Sequence, residues 1–328
     1  MTNLKTRFFG LEIENPIIIA SSSLTSDSKG VKEFADANAG AIVLKSVFQE
    51  EITYEYNKIA QSKSSKDFDE FMDYFDYQIR DKVLSNYGNL IRQAKSVTDK
   101  PVVASINCIS SGDWIQFASQ VEDAGADAIE LNLFVLPFDP DRTANENNKF
   151  YLNTVREVTQ KVSIPVTLKI SSYFSDLGAM CRNLANEKIA GLTLFNRYTS
   201  PDIDINKQEL ISGSALSSDN DYLLPLRWTG LLSSRLSVDI AASTGIHKSE
   251  HVIKMLIAGA SAVQMASIFY RKGASEVNEI LHGIKSWMET NNYKQIDDFK
   301  GKLSLDKATK PAYYERAQFL SSFGGYKK

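Results

Sequence analysis

The chain has few of the residues that mark disulfide-rich, metal-binding or nucleic-acid-binding proteins. Its 328 residues include only 2 cysteines and 3 histidines. Cys108 and Cys181 are far apart and in no CxxC spacing, which excludes a disulfide framework and a thiolate metal site. A formal net charge of -3 gives no electrostatic reason to expect a nucleic acid or an anionic membrane surface as partner. We therefore expect a small-molecule partner.

Long apolar segments are also absent. No stretch approaches the ~18 continuous apolar residues of a membrane span, and residues 1–10 lack the apolar segment of a signal peptide. We therefore expect a soluble, cytosolic protein. The GxGxxG nicotinamide fingerprint and iron–sulfur cysteines are missing too, so no motif identifies an electron acceptor.

The histidines do not indicate a metal site. His247 and His251 have the i, i+4 spacing of a metal pair, but no third ligand is evident. We expect them, and His282, on solvated helix faces.

Eight short apolar runs recur along the chain, and each ends in Ser, Thr or Asn. Runs of this length without strict alternation are typical of strands buried on both faces, as in a parallel sheet covered by helices. Eight of them predict a single-domain (β/α)8 TIM barrel over residues 1–328, with its chemistry at the strand C-termini. The runs are residues 16–21, 41–46, 102–107, 128–132, 166–171, 191–196, 239–244 and 262–267.

Helix signals fill the gaps between these runs. Asp113 is the predicted N-cap of a helix that ends at Gly125, and Ser249 opens another that Gly259 closes. The connections after strands two, four and six are longer and are predicted insertions at the active-site face. The first contains an aromatic, acidic segment, residues 68–81, which fits a surface helix, a substrate lid or a homodimer contact.

The strand tips carry the candidate chemistry. Lys45 and Lys169 lie inside apolar runs, where a lysine is rarely buried without a partner. Either they face an anionic or electron-rich ligand, or they pair with a barrel carboxylate such as Glu130. Asn132 and Asn196 end strands four and six, and their amides suit a planar heterocycle. Small residues end strands seven and eight, where such barrels often bind phosphate, at 243–245 and 266–267.

Several segments in the same order resemble the class 1 dihydroorotate dehydrogenases, which are FMN-containing (β/α)8 barrels. FFGLEIENPIIIASS near the start is similar to that family's LGLxLxNPxxxASG, and GADAIELNL resembles its ELNxSCPN region. STGIHKSEHVIKMLIAGASAVQMAS resembles its GGIxxGxDAxExxxAGAxxVQxGTA stretch. The other segments that carry the resemblance are AGAIVLKS, VTLKISSYF, ISGSAL and YKQIDDFKGKL.

The resemblance implies an FMN site. Lys169 matches the lysine near flavin N1 and O2, where a cation stabilises the negative charge of the reduced ring. Thr244 and Ala266 replace two family glycines of the phosphate turns, where backbone N–H groups can still serve. Lys45, Asn132 and Asn196 match substrate contacts. The complete implied set of cofactor-binding residues is Ala20, Ser21, Lys45, Ser46, Lys169, Ser212, Gly213, Thr244, Gly245, Ala266 and Ser267.

The substrate side departs from the family pattern. After Asn132 the family has a cysteine base, and this chain has Val135 or Leu136 at that position, neither of which accepts a proton. Phe138 replaces a second asparagine. Because general-base catalysis contributes ~10²–10⁴ in rate, dihydroorotate is not assured as the substrate, and the catalytic residues are not identified.

Three interpretations follow from this departure. The chain is an FMN oxidoreductase for another small planar or carbonyl substrate, a dihydroorotate dehydrogenase of pyrimidine biosynthesis with a substitute base, or a noncatalytic flavin-binding protein. The candidate substitute bases are Ser110, Ser111, Asp139 and Asp141.

Overall fold

Eight parallel strands form a closed barrel. The computed structural model describes residues 2–48, 72–107 and 111–315. A hairpin of β1 (Thr6–Phe8) and β2 (Leu11–Ile13) precedes the barrel. The barrel strands follow as β3 (Ile17–Ile19), β4 (Ala41–Val43), β6 (Val102–Asn107), β7 (Ala128–Leu133), β8 (Val166–Ile170), β9 (Gly191–Leu194), β12 (Asp239–Ser243) and β13 (Ala262–Met265). The remaining strands are β5 (Val47–Phe48), β10 (Pro201–Asp204) and β11 (Glu209–Ser212).

The pairing of β4 closes the circle. β4 pairs in parallel with β3 on one side and with β6 on the other, and the ladder continues in order through β13 back to β3. The runs are mostly apolar without strict alternation because helices cover the outer face while side chains fill the interior. All eight predicted strands, and with them the TIM barrel, are confirmed.

Nine α-helices lie in the described part of the chain. They are α1 (Ser28–Asp36), α2 (Met72–Val97), α3 (Ser111–Asp123), α4 (Ala144–Lys161), α5 (Leu177–Ala185), α6 (Leu223–Leu232), α7 (Ser249–Ala258), α8 (Ser267–Lys272) and α9 (Glu276–Thr290). None of them is long and apolar enough to cross a membrane. The assignment of residues 1–328 to one domain stays a prediction.

The predicted helix boundaries are right at one helix and wrong at another. α7 starts at Ser249 and ends before Gly259, whose φ of +116° a glycine adopts without a Cβ clash. α3 begins at Ser111, two residues before the predicted N-cap Asp113. The error has a physical reason, because the local sequence SSGD offers several helix-starting residues and tertiary packing selects among them.

The three predicted insertions have different contents. The connection after β4 holds β5 and α2, and the aromatic segment is helical from Met72 onward, while Phe68 and Phe71 lie outside the described residues. The connection after β7 is a ten-residue loop, 134–143, followed by α4. The connection after β9 holds the β10–β11 hairpin, a loop and α6.

The β1–β2 hairpin closes the end of the barrel where the strands begin. Phe8, Phe9 and Ile13 are fully or almost fully buried against Ala41, Ala128 and Ala262, the first residues of three barrel strands. Phe8 also lies against Gly191 at the start of β9. The opposite end, where the strands finish, is the end at which this fold carries its active sites.

Candidate active site

A chain of hydrogen bonds joins five barrel strands near their carboxyl ends. Ser21 Oγ and Ser46 Oγ are 2.9 Å apart, and Ser46 Oγ is 2.7 Å from Ser105 Oγ. Asn132 Nδ2 donates to Ser105 Oγ at 3.0 Å and to Ser46 Oγ at 3.1 Å. Asn196 Nδ2 donates to Asn132 Oδ1 at 3.3 Å. The structure thus brings together four of the predicted site residues.

Ser105 is a member of this network that the sequence interpretation missed. It is fully buried in β6, and Tyr87 of α2 fixes its backbone, because Tyr87 Oη accepts from Ser105 N at 2.8 Å and donates to Ser105 O at 3.0 Å. A hydroxyl inside the apolar run VVASIN is the signal that could have identified it, since buried polar groups need partners.

Lys169 lies inside the barrel in a second polar cluster. It is 7% exposed, and its Nζ donates to Gln264 Oε1 at 3.0 Å. Gln264 Nε2 donates to Glu130 Oε2, which also accepts from Thr193 Oγ1 at 2.9 Å. Burial lowers the pKa of Lys169, and the negative charge of Glu130 opposes that shift. The lysine is therefore electrostatically coupled to Glu130 through an amide, and Gln264 is a further residue that the sequence interpretation missed.

Lys45 does not share this buried environment. The ladder of β4 ends at Val43, and the Lys45 N–H donates to Thr25 O at 3.2 Å in the turn after β3. The side chain is exposed, so the expectation of a second buried lysine is wrong. The physical reason is that the apolar run AIVLKS is longer than the strand, so that Lys45 lies beyond the last strand residue, Val43.

The loop after β7 carries Val135 and Leu136, the two positions that the resemblance aligns with the family's cysteine. Val135 packs against the core, and its N–H donates to Tyr151 Oη at 2.9 Å. Leu136 is exposed, and Phe138 is 80% exposed. Burial raises the pKa of Tyr151 to about 12, so its phenol stays protonated at neutral pH.

The four candidate substitute bases differ in what the structure describes of them. Asp139 and Asp141 are exposed in the loop after β7, where Asp139 Oδ1 accepts from Asp141 N at 3.0 Å. Ser111 is the first residue of α3. Ser110 and Cys108 lie outside the described residues.

An aromatic pair stands beside the two asparagines. The rings of Phe134 and Tyr198 are stacked with centroids 3.6 Å apart, and Asn196 Nδ2 donates to Tyr198 Oη at 3.2 Å. Tyr198, Asn196 and Thr244 line one cavity of about 450 Å³. A larger cavity of about 870 Å³ lies at the opposite end of the barrel, around Lys5, Asp239 and Lys300. The cavity of about 450 Å³ lies where the strands end, which is the end at which active sites of this fold are found.

The predicted phosphate turns lie at the ends of β12 and β13. Thr244 and Gly245 have φ values of +85° and +72°, and Thr244 Oγ1 donates to Phe195 O at 3.2 Å. Ala266 immediately precedes α8, and Ser267 is its first residue. Ala20 is buried beside them, with its N–H donating to Met265 O at 2.9 Å. Thr244 thus keeps the left-handed backbone that a glycine would favour.

His247 anchors the loop that follows β11. Its Nε2 is 2.8 Å from Ser217 Oγ, and its Nδ1 is 2.6 Å from Asp219 Oδ1. Ser217 N in turn donates to Ser267 Oγ at 3.0 Å. The hydrogen bond from His247 holds the pKa of Asp219 below its usual range. Because Ser217 is itself buried, we interpret these contacts as positioning of the loop and not as a nucleophilic triad.

Two histidine predictions are wrong for the same reason. His247 is 5% exposed and His251 is 2% exposed, whereas His282 is exposed as expected. His251 stacks on Tyr222, with centroids 4.1 Å apart. The inserted loop and the start of α6 cover this end of α7. The local sequence of α7 does not predict this burial, because the covering residues come from another part of the chain.

Ser212 and Gly213 lie farther from the network. Ser212 ends β11 and is exposed, and Gly213 N donates to Ser200 O at 3.0 Å across the hairpin. Arg197 connects the next residues to the strand ends, because its guanidinium donates to Ala215 O at 2.8 Å and to Ser214 O at 2.9 Å. Neither Ser212 nor Gly213 contacts the other predicted site residues through a hydrogen bond within the described part of the chain.

Comparison with known proteins agrees with this geometry. The family model described as dihydroorotate dehydrogenase matches residues 3–288. The dihydroorotate dehydrogenase B (NAD(+)) catalytic subunit of Thermoplasma acidophilum is 27% identical over 92% of this chain and 99% of that protein. The corresponding subunit of Pyrococcus furiosus is also 27% identical, over 91% of this chain and 98% of that protein. With a closed barrel, a buried Lys169 and a family match across most of its length, the chain belongs to the dihydroorotate dehydrogenase family.

Proposed function

We propose that the protein is an FMN-dependent oxidoreductase that transfers hydride from a small planar or carbonyl-containing substrate to FMN, and that this substrate is not dihydroorotate. Lys169 carries the flavin part of the proposal. Its buried ammonium has three N–H donors and one hydrogen-bond acceptor, Gln264 Oε1, among the described residues. A buried cation whose other N–H groups can donate further hydrogen bonds fits the electron-rich edge of a flavin ring.

The chemistry of the other residues supports the same cofactor. The hydroxyls of Ser21 and Ser46 and the backbone of Ala20 offer hydrogen-bonding groups to a planar ring, and the buried Ser22 Oγ has no partner among the described residues. The turns at 244–245 and 266–267 offer backbone N–H groups to a phosphate. When bound, FMN supplies the two-electron acceptor, and Lys169 stabilises negative charge on its reduced ring.

The loop after β7 supports the second part of the proposal. Oxidation of dihydroorotate removes a proton from carbon, and neither Val135 nor Leu136 can accept one. Asn132 and Asn196 are retained and joined by a hydrogen bond, so a binding platform for a small polar ligand is kept while the base is lost.

Purification tests the cofactor directly. We expect a yellow protein that releases FMN on denaturation, or a chain that becomes yellow on reconstitution. A colourless protein that takes up no added FMN would contradict the proposal.

Anaerobic mixing with dihydroorotate tests the substrate. We expect the bound flavin to stay oxidised with dihydroorotate and to bleach with dithionite, which controls for its reducibility. Rapid bleaching by dihydroorotate would instead identify a dihydroorotate dehydrogenase with a substitute base.

A further inference from the structure

Tyr198 brings a phenol to the position where the two retained amides meet. Asn196 Nδ2 donates to Tyr198 Oη at 3.2 Å and to Asn132 Oδ1 at 3.3 Å. The phenol oxygen is therefore an acceptor in this contact, and its O–H is the acidic group among these three side chains.

The amides themselves are occupied by the network. Asn132 Nδ2 donates to two serine hydroxyls, Ser46 and Ser105, while both contacts of Asn196 Nδ2 are those with Asn132 and Tyr198. Asn196 Oδ1 accepts from Arg197 N at 3.0 Å. The amides position their neighbours, and the phenol is the acidic group that they position.

The ring of Tyr198 is held in a defined orientation inside a cavity. Phe134, in the loop after β7, stacks on it with an interplanar angle of 22° and a centroid distance of 3.6 Å. Tyr198, Asn196 and Thr244 line the cavity of about 450 Å³, a volume within the ~300–1,000 Å³ range of small-molecule sites. Phe134 thus belongs to the loop that lacks the family's base, and it packs against Tyr198, which can transfer a proton instead.

We propose that Tyr198 is the proton-transferring residue of this site and that its substrate class is an electron-poor carbon–carbon double bond, conjugated with a carbonyl or nitro group. The inference rests on the proposed function, because it needs the flavin as the partner in hydride transfer. A phenol O–H is a proton donor and its neutral oxygen is a poor proton acceptor, so it serves as an acid more readily than as a base. The site therefore favours the half-reaction in which carbon gains a proton, so the double bond takes up the hydride that the donor substrate of the proposed function leaves on FMN.

The step balances in atoms and electrons. When bound, reduced FMN would supply the hydride that forms one C–H bond, and the electron pair of the C=C π bond would move onto the carbonyl or nitro group. That pair then forms the second C–H bond with the proton of Tyr198, whose O–H bonding pair remains on the phenolate oxygen. Water restores the proton to the phenolate. The double bond is reduced by two electrons, and the flavin is oxidised by two.

A nitroalkene separates the two transfers, because hydride addition leaves a stabilised nitronate whose ultraviolet absorbance reports its protonation. The FMN-loaded full chain is reduced anaerobically with dithionite and mixed with 1-nitrocyclohexene. We expect Tyr198→Phe, which keeps the stacked ring, to reoxidise its flavin at the unchanged rate. Nitronate protonation should slow by about 100-fold or more, since a positioned acid contributes ~10²–10⁴ in rate.

Tyr313→Phe makes the same chemical change at an exposed residue and should leave both phases unaltered. Equal protonation rates in Tyr198→Phe and the unchanged chain would overturn the role of Tyr198. Failure of the nitroalkene to reoxidise the flavin of the unchanged chain would overturn the substrate class. Failure to bind FMN would instead contradict the proposed function itself, so the outcomes are distinguishable.

A second measurement needs no turnover. In the chain labelled with ¹³C at tyrosine Cζ, the resonance missing from Tyr198→Phe identifies Tyr198. Addition of 2-cyclohexen-1-one to the oxidised protein should shift that resonance and leave the Tyr313 resonance in place. An unmoved Tyr198 signal at a saturating concentration of the enone would contradict the proposal.

Discussion

Lys169 Nζ donates a hydrogen bond to Gln264 Oε1 over 3.0 Å in the interior of the barrel, and Gln264 Nε2 donates a second hydrogen bond to Glu130 Oε2. The positive and negative groups are thus separated by an amide. This arrangement keeps two N–H groups of the ammonium available, whereas a bidentate contact with the carboxylate would use them. The position of Gln264 in β13 therefore determines what Lys169 can offer to a ligand.

The charge of Lys169 should affect reduced FMN more than oxidised FMN. We expect Lys169→Met to make the reduction potential of bound FMN more negative, by about 30 mV for each tenfold loss in relative affinity for the reduced form. Lys161→Met, at the exposed end of α4, is the matched control and should leave the potential unchanged. Spectroelectrochemical titration measures both, and equal weakening of the two redox forms would argue against the electrostatic role.

Loss of the same cation should also destabilise the fold. Glu130 is fully buried, and its Oε1 has no hydrogen-bond partner among the described residues, so Lys169→Met leaves its charge less compensated. We expect the free energy of unfolding to fall by about 1–3 kcal/mol. The double variant Glu130→Gln/Lys169→Met should recover most of that loss in urea unfolding of the apoprotein. A double variant less stable than Lys169→Met would show that the two side chains are not coupled.

A side chain at Gly245 should lower the free energy of unfolding. Its φ is +72°, and a Cβ there would overlap Tyr222 N and lie 2.6 Å from Asp221 C. Gly125, with φ of +92° and nothing near an added Cβ, separates conformational strain from steric overlap. We expect Gly125→Ala to cost about 1–2 kcal/mol in unfolding free energy, from strain alone.

Gly245→Ala should cost about 1–3 kcal/mol more than Gly125→Ala, because the backbone of the covering loop must shift. It should also weaken FMN binding, which fluorescence titration measures. Equal unfolding free energies for the two alanine variants would contradict this account.

Stability should depend on the protonation of His251. Burial lowers its pKa from the usual 6.5, so between the folded-state pKa and 6.5 the unfolded chain binds the proton more readily than the folded chain. The free energy of unfolding should therefore fall as the pH is lowered through about 6.5 and level off, as far as this group is concerned, below the folded-state pKa.

Urea unfolding at pH 5.5 and 7.5 measures this dependence. His251→Phe keeps a ring against Tyr222 but cannot titrate, and it should reduce the difference in unfolding free energy between the two pH values. His282→Phe, on the exposed face of α9, should leave the difference as it is. An unchanged pH dependence in His251→Phe would exclude His251 as its source.

The barrel strands were predictable because burial on both faces imposes a local pattern. Runs such as Ala128–Leu133 and Val166–Ile170 are mostly apolar without strict alternation, and this property can be recognised without knowledge of their neighbours. The burial of Lys169 agrees with the same pattern because Lys169 lies within the paired part of β8, whereas Lys45 lies beyond the end of β4.

The partners of the polar residues could not be predicted in this way. Ser46, Ser105 and Asn132 are up to 86 positions apart, and only the closed ladder brings them within hydrogen-bond distance. The exposure of Lys45 depends on where β4 stops pairing, and the burial of His247 depends on a loop that arrives from the β9 connection. Each of these is a contact between distant segments.

The amino-acid sequence by itself determined the number of strands and the end of the barrel that carries polar groups, because these follow from composition and local periodicity. The family resemblance of the sequence implies that Val135 or Leu136, neither of which accepts a proton, stands at the position of the family's cysteine. Only the tertiary structure decided that Asn196 and Tyr198 meet beside Asn132 and that an amide stands between Lys169 and Glu130. The physical reason is that hydrogen bonds and burial act between neighbours in space, and closure of the barrel is what makes residues from separate strands neighbours.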